Sequence, residues 1–169
     1  MRRLLRNCQL FAQLSTREKV WFMVLFVGSG IAQAALLTLP FRRIVPYMGA
    51  HYKNVLCTAR VTQEQQLQAW RIGRITAMAT KYTPWKSACL VQALIATWLL
   101  AYYHIPYVLH LGVARATPQG DDLQAHAWLR VGQWVITGRE GHQEFTVVAT
   151  FVAPSLLGTD RLSESMPAN

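Results

Sequence analysis

The sequence predicts an α+β fold in which helices come first and an antiparallel β-meander follows. Apolar stretches with helical signals fill the chain before Pro106, whereas the side chains after Pro106 alternate with the period of a strand. The chain has 169 residues, which is the length of a single domain. Hydrophobic residues make up 52% of it and charged residues 15%, a balance that excludes disorder, collagen and low-complexity repeats.

The first part of the chain contains three predicted helices. Residues 15–18 (Ser-Thr-Arg-Glu) match a capping box, in which side chains bind the free amides at a helix start, and the uncharged run 20–41 follows. Residues 62–65 (Thr-Gln-Glu-Gln) match a second capping box and predict a helix that ends near Thr80. After a turn, the uncharged stretch 87–103 predicts a central helix that is covered on most sides.

The second part contains predicted strands. Alternating apolar and polar side chains, bounded by turn residues, indicate strands rather than helices here. Gly132 and Gln133 form a two-residue hairpin signal between two of them. The predicted strands are residues 107–114, 125–131, 134–137 and 145–152. The polar residues after Pro154 predict a frayed tail.

The uncharged run 20–41 is long enough to cross a bilayer, for which about 20 apolar residues suffice. Gly28, Ser29 and Gly30 interrupt it, and basic residues flank both of its ends, so that no orientation is specified. We therefore favour a helix that packs on the domain or on a partner over a true span. Membrane contact through residues 20–41 stays open as an expectation.

The chain is basic, with 17 Lys and Arg against 8 Asp and Glu, which gives a net charge of +9. Such a balance suits an anionic membrane, an acidic peptide or nucleic acid. The basic residues are scattered and form no aromatic–basic platform, which disfavours nucleic-acid binding.

The cysteines and histidines show no spacing typical of metal ligands. No CxxC motif occurs, so the sequence predicts neither a disulfide framework nor a zinc ribbon, and a reducing, cytoplasmic compartment without a metal or cofactor fits best. We expect structural or surface roles for Cys8, Cys57, His51, His104, His110 and His142.

Cys89 and His126 are the residues most suited to chemistry. Cys89 opens the predicted central helix, where unpaired backbone amides and the nearby Lys86 favour the reactive thiolate. His126 opens a predicted strand and has small neighbours on both sides. A cysteine at a helix start followed by a histidine on a strand is the chain order of papain-like and transglutaminase-like enzymes, in which the imidazole takes the thiol proton.

Three segments in order resemble the lasso-peptide leader peptidase family, which belongs to the transglutaminase-like superfamily. They are residues 87–93 (Ser-Ala-Cys-Leu-Val-Gln-Ala), 125–131 (Ala-His-Ala-Trp-Leu-Arg-Val) and 141–149 (Gly-His-Gln-Glu-Phe-Thr-Val-Val-Ala). The resemblance covers about residues 60–152. It implies a helical N-terminal region and connector over 1–60, a cysteine peptidase core over 61–154 and a polar tail over 155–169.

The resemblance also implies a function and partners. Such peptidases remove the leader from a ribosomally made precursor peptide and expose the amine that a separate ATP-dependent, asparagine-synthetase-like cyclase joins to an acidic side chain. Some members carry a fused leader-recognition domain. This chain looks like the stand-alone peptidase half, which needs a separate leader-recognition protein.

The chain departs from the family pattern at the third catalytic residue. The family carries an Asp roughly a dozen residues after the histidine, where this chain has Thr137-Gly138-Arg139-Glu140. With a two-residue turn at Gly132-Gln133, Arg139 falls opposite His126 and Thr137 lies diagonal to it on the same face. Glu140 reaches the ring only if the strand bulges, which neighbouring glycines permit. Glu140 is the candidate acid, with a surface carboxylate as the alternative interpretation.

Three functions remain open at this point. The first is the cysteine peptidase with Cys89, His126 and Glu140 as its triad. The second is a non-catalytic, membrane-associated scaffold that binds peptide, which the imperfect triad favours. The third is an acyltransferase that uses the same residues, because hydrolysis and transfer share the thioester step.

Overall fold

The computed structural model describes residues 14–54, 56–85, 88–115, 122–157 and 162–164. Helices pack against an antiparallel sheet, which confirms the predicted α+β class. The helices are α1 (Thr16–Thr38), α2 (Phe41–Ile44), α3 (Gln63–Lys81) and α4 (Cys89–Tyr102). The strands are β1 (Ala50–His51), β2 (Cys57–Ala59), β3 (Val108–Arg115), β4 (Leu123–Val131), β5 (Trp134–Thr137), β6 (Thr146–Val152) and β7 (Leu162–Glu164).

Both predicted capping boxes are confirmed. At the start of α1 the Glu18 amide donates to Ser15 Oγ over 3.3 Å, and the Ser15 amide donates back to Glu18 Oε2 over 3.0 Å. Thr62 and Gln65 exchange the same pair of bonds at the start of α3, at 3.2 and 3.0 Å. Each box satisfies two amides that the helix itself leaves unpaired.

Helix α1 packs on both α3 and α4. One of its faces is buried, and from it Trp21 donates its indole N–H to the Tyr103 hydroxyl over 2.9 Å. Arg74 of α3 contacts Glu18 at 2.7 Å and adds a surface ion pair. The buried face of α1 therefore belongs to the core of the domain.

The outer face of α1 is apolar as well. Val20, Met23, Val24, Val27 and Ile31 are all more than half exposed and follow one helical stripe. The helix is long and apolar enough to cross a membrane by length and composition. Its two apolar faces thus differ, because one contacts the protein and the other contacts solvent.

The main sheet has the strand order β1-β6-β3-β4-β5, and each neighbouring pair is antiparallel. The two-residue turn between β4 and β5 is confirmed, since Val131 pairs with Trp134 on either side of it. Beyond the turn the register shifts: Arg130 pairs with Val135, but Leu129 pairs with Thr137. A one-residue bulge in β5 therefore moves every later residue by one position.

A Schellman motif ends α4. The His104 amide donates to the Ala101 carbonyl, the Ile105 amide donates to the Leu100 carbonyl, and His104 has a φ of 52°. These two bonds around a left-handed residue satisfy carbonyls that the end of the helix leaves unpaired. Residues 103–107 then connect α4 to β3.

The sheet is larger than the sequence predicts. Strand β1 pairs with β6, and β2 pairs with β7 in a separate two-stranded ribbon. These short strands carry too few residues for a visible period of two. The predicted frayed tail is wrong at residues 162–164, because these residues form β7 and pair with Cys57, Thr58 and Ala59.

Candidate active site

Cys89 is the first residue of α4 and is partly buried. The residue before the helix is Ala88, whose side chain cannot cap it, and its carbonyl accepts the first helical bond from the Gln92 amide. The amides of the first helical turn therefore lack both an intrahelical and a side-chain partner, and they lie beside the Cys89 thiol. This confirms the predicted position of Cys89 at a helix start. Lys86, predicted to add a cation, lies outside the described residues.

The turn before Cys89 is supported from two sides. The Thr83 hydroxyl lies 2.8 Å from the Thr80 carbonyl and 3.1 Å from the Trp85 carbonyl, which ties the turn to the end of α3. The Trp85 ring packs against Phe26 of α1, and a Cβ on Gly30 would lie 3.1 Å from it. Helix α1 therefore holds the turn that leads into the cysteine.

Cys89 and His126 lie on two elements that pack together. Helix α4, which begins at Cys89, contacts β4, the strand that carries His126. His126 pairs with Gly112 of β3.

His126 lies on β4, as predicted, and its ring has one hydrogen-bond partner. The Nε2 atom lies 2.9 Å from the carbonyl oxygen of Gly138. The ring also packs between Phe145 and Trp128, with centroid distances of 4.9 and 6.1 Å. Gly112 opposite has no side chain, and a Cβ there would clash with Trp128 and with Phe145. These contacts fix the plane of the ring.

The Gly138 carbonyl determines the tautomer of His126. A carbonyl oxygen only accepts hydrogen bonds, so Nε2 must carry the proton that it donates. In the neutral ring Nδ1 is then unprotonated and has a lone pair that can accept a proton. The ring is therefore set up as a base at Nδ1.

The structure does not join the cysteine and the histidine directly. Within the described residues, Cys89 Sγ makes no hydrogen bond to the His126 ring. The strand alternation places His126 on the same face of β4 as Trp128, and places Ala127 on the other face. Ala127 and Leu129, on that other face, belong to the same buried core as Val91 and Leu94 of α4, whereas Trp128 does not. The structure therefore does not bring the Cys89 and His126 side chains into contact.

The bulge in β5 changes the predicted surroundings of the histidine. The expectation that Thr137 shares a face with His126 is wrong, because the bulge places Thr137 opposite Leu129. Strand β5 ends at Thr137, so Arg139 does not pair opposite His126. Glu140 lies exposed in the following turn, and its side chain makes no hydrogen bond or ion pair with any residue that the structure describes. Its catalytic role stays a prediction.

Gly138 can be only glycine in this geometry. Its φ is +68°, and a Cβ would clash with the Ala127 carbonyl oxygen of β4. The backbone of Gly138 therefore lies directly against β4, and the Gly138 carbonyl points to the His126 ring. Gly141 has a similar φ of +67° but open space around it. The sequence offers one signal for this role of Gly138: it lies twelve residues after His126, about where the family carries its catalytic Asp.

His110 is the most buried histidine of the described chain. Its Nε2 lies 3.2 Å from the Cys57 carbonyl and its Nδ1 lies 3.0 Å from the Thr150 hydroxyl. Burial lowers the pKa of His110 from 6.5 to about 4. The hydrogen bond to the Cys57 carbonyl acts in the opposite direction, and the nearby Arg130 and His142 lower the pKa further. His110 is therefore a neutral structural residue. No group of three potential metal ligands occurs among the described residues.

A model of the transglutaminase-like superfamily matches residues 35–150, which run from the last part of α1 into β6. The chain belongs to the transglutaminase-like superfamily. Searches of curated proteins and of solved structures each found no match. The superfamily generally has cysteine protease or transferase activity with a Cys-His-Asp site.

This chain has a cysteine at a helix start and a histidine on a later strand, in the order of the superfamily site, but no aspartate between His126 and Asp160. Where the aspartate is expected, the backbone carbonyl of Gly138 binds the ring nitrogen instead. A neutral carbonyl orients an imidazole as a carboxylate does, but it stabilises an imidazolium less, because it carries no full charge.

Proposed function

We propose that this protein is the leader peptidase of a lasso-peptide pathway. The superfamily match supports a cysteine enzyme, and the three segments around Cys89, His126 and Phe145 support the peptidase family within it. The observation that carries the proposal is the hydrogen bond from His126 Nε2 to Gly138, since it leaves Nδ1 free as a base. The reaction needs no cofactor.

In the proposed reaction, His126 Nδ1 takes the proton of the Cys89 thiol. The thiolate attacks the scissile carbonyl of the leader, and the resulting oxyanion lies against the unpaired amides at the start of α4. The intermediate collapses when the imidazolium gives its proton to the leaving amine, which becomes the N-terminus of the released core peptide. Water then attacks the thioester, with His126 again as base, and frees the leader carboxylate and Cys89.

The proposed partners are those that the resemblance to lasso-peptide leader peptidases implies. A separate leader-recognition protein presents the leader, and an asparagine-synthetase-like, ATP-dependent cyclase uses the newly exposed amine. The precursor peptide itself is the substrate.

A second candidate is a non-catalytic scaffold at the membrane. The observation that favours it is the exposed apolar stripe of α1, since contiguous exposed apolar side chains mark a surface that contacts a partner or a membrane. Because the opposite face of α1 packs on α3 and α4, the helix fits the surface of a bilayer rather than its interior. Basic residues at both ends of α1 suit anionic headgroups. A peptidase can use the same surface.

Replacement of Cys89 by Ala or Ser separates the peptidase from the scaffold. Both variants should abolish leader removal, because neither side chain supplies a thiolate, while the free energy of unfolding changes by about 1 kcal/mol or less. Mass spectrometry of a precursor incubated with protein and recognition partner measures the reaction.

Cys57→Ala is the matched control at a buried cysteine and should keep cleavage. Full cleavage by Cys89→Ala would contradict the assignment of Cys89 as the nucleophile. A product that carries an acceptor amine instead of water would identify an acyltransferase.

Replacement of Glu140 by Gln tests the third catalytic residue. We expect the variant to keep turnover within about tenfold of wild type, since the Gly138 carbonyl already orients the ring. Loss of an essential orienting carboxylate costs about 10⁴-fold in turnover in well-studied triads. His126→Ala should lower turnover by at least 10²-fold, because it removes the general base. If Glu140→Gln behaves like His126→Ala, Glu140 orients the ring in the substrate complex.

Flotation with lipid vesicles tests the surface of α1. The protein should float with phosphatidylcholine vesicles that contain phosphatidylglycerol and less with phosphatidylcholine alone. The double variant Val24→Gln, Ile31→Gln removes two exposed apolar side chains. Each contributes about 1 kcal/mol or more to the free energy of transfer into the bilayer surface, so vesicle binding should fall roughly tenfold or more. The control is Leu123→Gln, Val148→Gln at exposed positions of the sheet. Equal flotation of both double variants would contradict this orientation.

A further inference from the structure

A cavity of about 420 Å³ lies on the His126 face of the sheet. Two aromatic residues connect it with the candidate site: Trp128 and Phe145 line the cavity and also pack against the His126 ring. The side chains that matter for what it binds are Trp128, Arg130, Trp134, Arg139, His142 and Phe145. The cavity is therefore continuous with the residues that hold the proposed base.

The cavity carries positive charge without a compensating acid. Arg130 and Arg139 both line it, together with His142, and none of its lining residues is Asp or Glu. Arg130 and Arg139 form no ion pair with any residue that the structure describes. A partly buried guanidinium without an anion is costly, because it loses hydration and gains no counter-charge.

Two hydrogen-bond donors of the cavity lining have no partner among the described residues. Trp128 Nε1 and Arg130 Nε are both buried there without an acceptor, although buried polar atoms nearly always have one. Trp128 is only 1% exposed, so its indole N–H does not bond to bulk solvent either. Burial also lowers the pKa of Arg130 from its ordinary value. The cavity lining thus combines positive charge with two buried donors that no described residue uses.

We propose that this cavity binds the carboxylate of an Asp or Glu side chain of the substrate peptide, an inference that rests on the proposed peptidase function. A guanidinium matches a carboxylate with two parallel hydrogen bonds, and the aromatic walls contact the side-chain methylenes. Since Trp128 and Phe145 are shared with the His126 environment, the acidic residue lies within a few positions of the cleaved bond.

The test uses two small probes that differ in one charge, N-acetylglutamate α-methylamide and N-acetylglutamine α-methylamide. Each is titrated into the Cys89→Ala protein, and the indole N–H signal of Trp128, assigned with Trp128→Phe, is followed by NMR. The glutamate probe should shift this signal with at least tenfold higher affinity than the glutamine probe. Equal shifts by both probes would overturn the proposal.

Arginine variants of the same protein complete the test. Arg130→Met should abolish the preference for the glutamate probe, and Arg130→Lys should keep part of it, because lysine retains charge but not the planar fork. Arg139→Met, at an exposed position that leaves the fold intact, should weaken the preference severalfold. Arg71→Met, at an exposed position of α3, is the matched control and should leave the preference for the glutamate probe unchanged. An unchanged preference in both cavity variants would refute the site, and none of these readouts depends on cleavage.

Discussion

The hydrogen bond between His126 and the Gly138 carbonyl joins two parts of the molecule on which the site depends. It connects strand β4 to the turn after β5, and the bulge in β5 and the positive φ of Gly138 both serve to bring that carbonyl to the ring. Because Gly138 has no Cβ, its backbone can approach β4 more closely than any other residue allows. A backbone carbonyl thereby orients the His126 ring.

The helical layer carries the proposed nucleophile. Helix α4 begins at Cys89 and packs on β4, the strand of His126, and a Schellman motif after Tyr102 ends it. Helix α1 contributes indirectly, since Phe26 and Gly30 hold Trp85 in the turn before Cys89. The same helix presents its outer apolar stripe to solvent. Contact with a bilayer or a partner through this stripe would therefore act on the element that supports the cysteine turn.

Local signals made most of the fold predictable from the sequence. Capping boxes at Ser15 and Thr62 mark two helix starts, and the alternation after Pro106 marks the strands, because these patterns depend on neighbours in the chain. The pairing of β2 with β7 and the bulge at Ile136 depend instead on tertiary contacts between distant residues. Cys89 and His126 could be singled out because their residue types and local positions are visible in the sequence. The Gly138 carbonyl could not, because a backbone atom leaves no mark on the residue type. The unpaired Trp128 and Arg130 donors likewise become visible only when the surrounding contacts are known.

The tautomer of His126 can be measured by NMR in the intact protein. In protein labelled with nitrogen-15 histidine, a long-range proton–nitrogen correlation spectrum distinguishes a protonated from an unprotonated ring nitrogen, and His126→Gln assigns the signals. The hydrogen bond to Gly138 predicts that the neutral ring carries its proton on Nε2 and leaves Nδ1 bare. A neutral ring with its proton on Nδ1 would contradict the account, since His126 could then neither donate to the Gly138 carbonyl nor accept a proton at Nδ1.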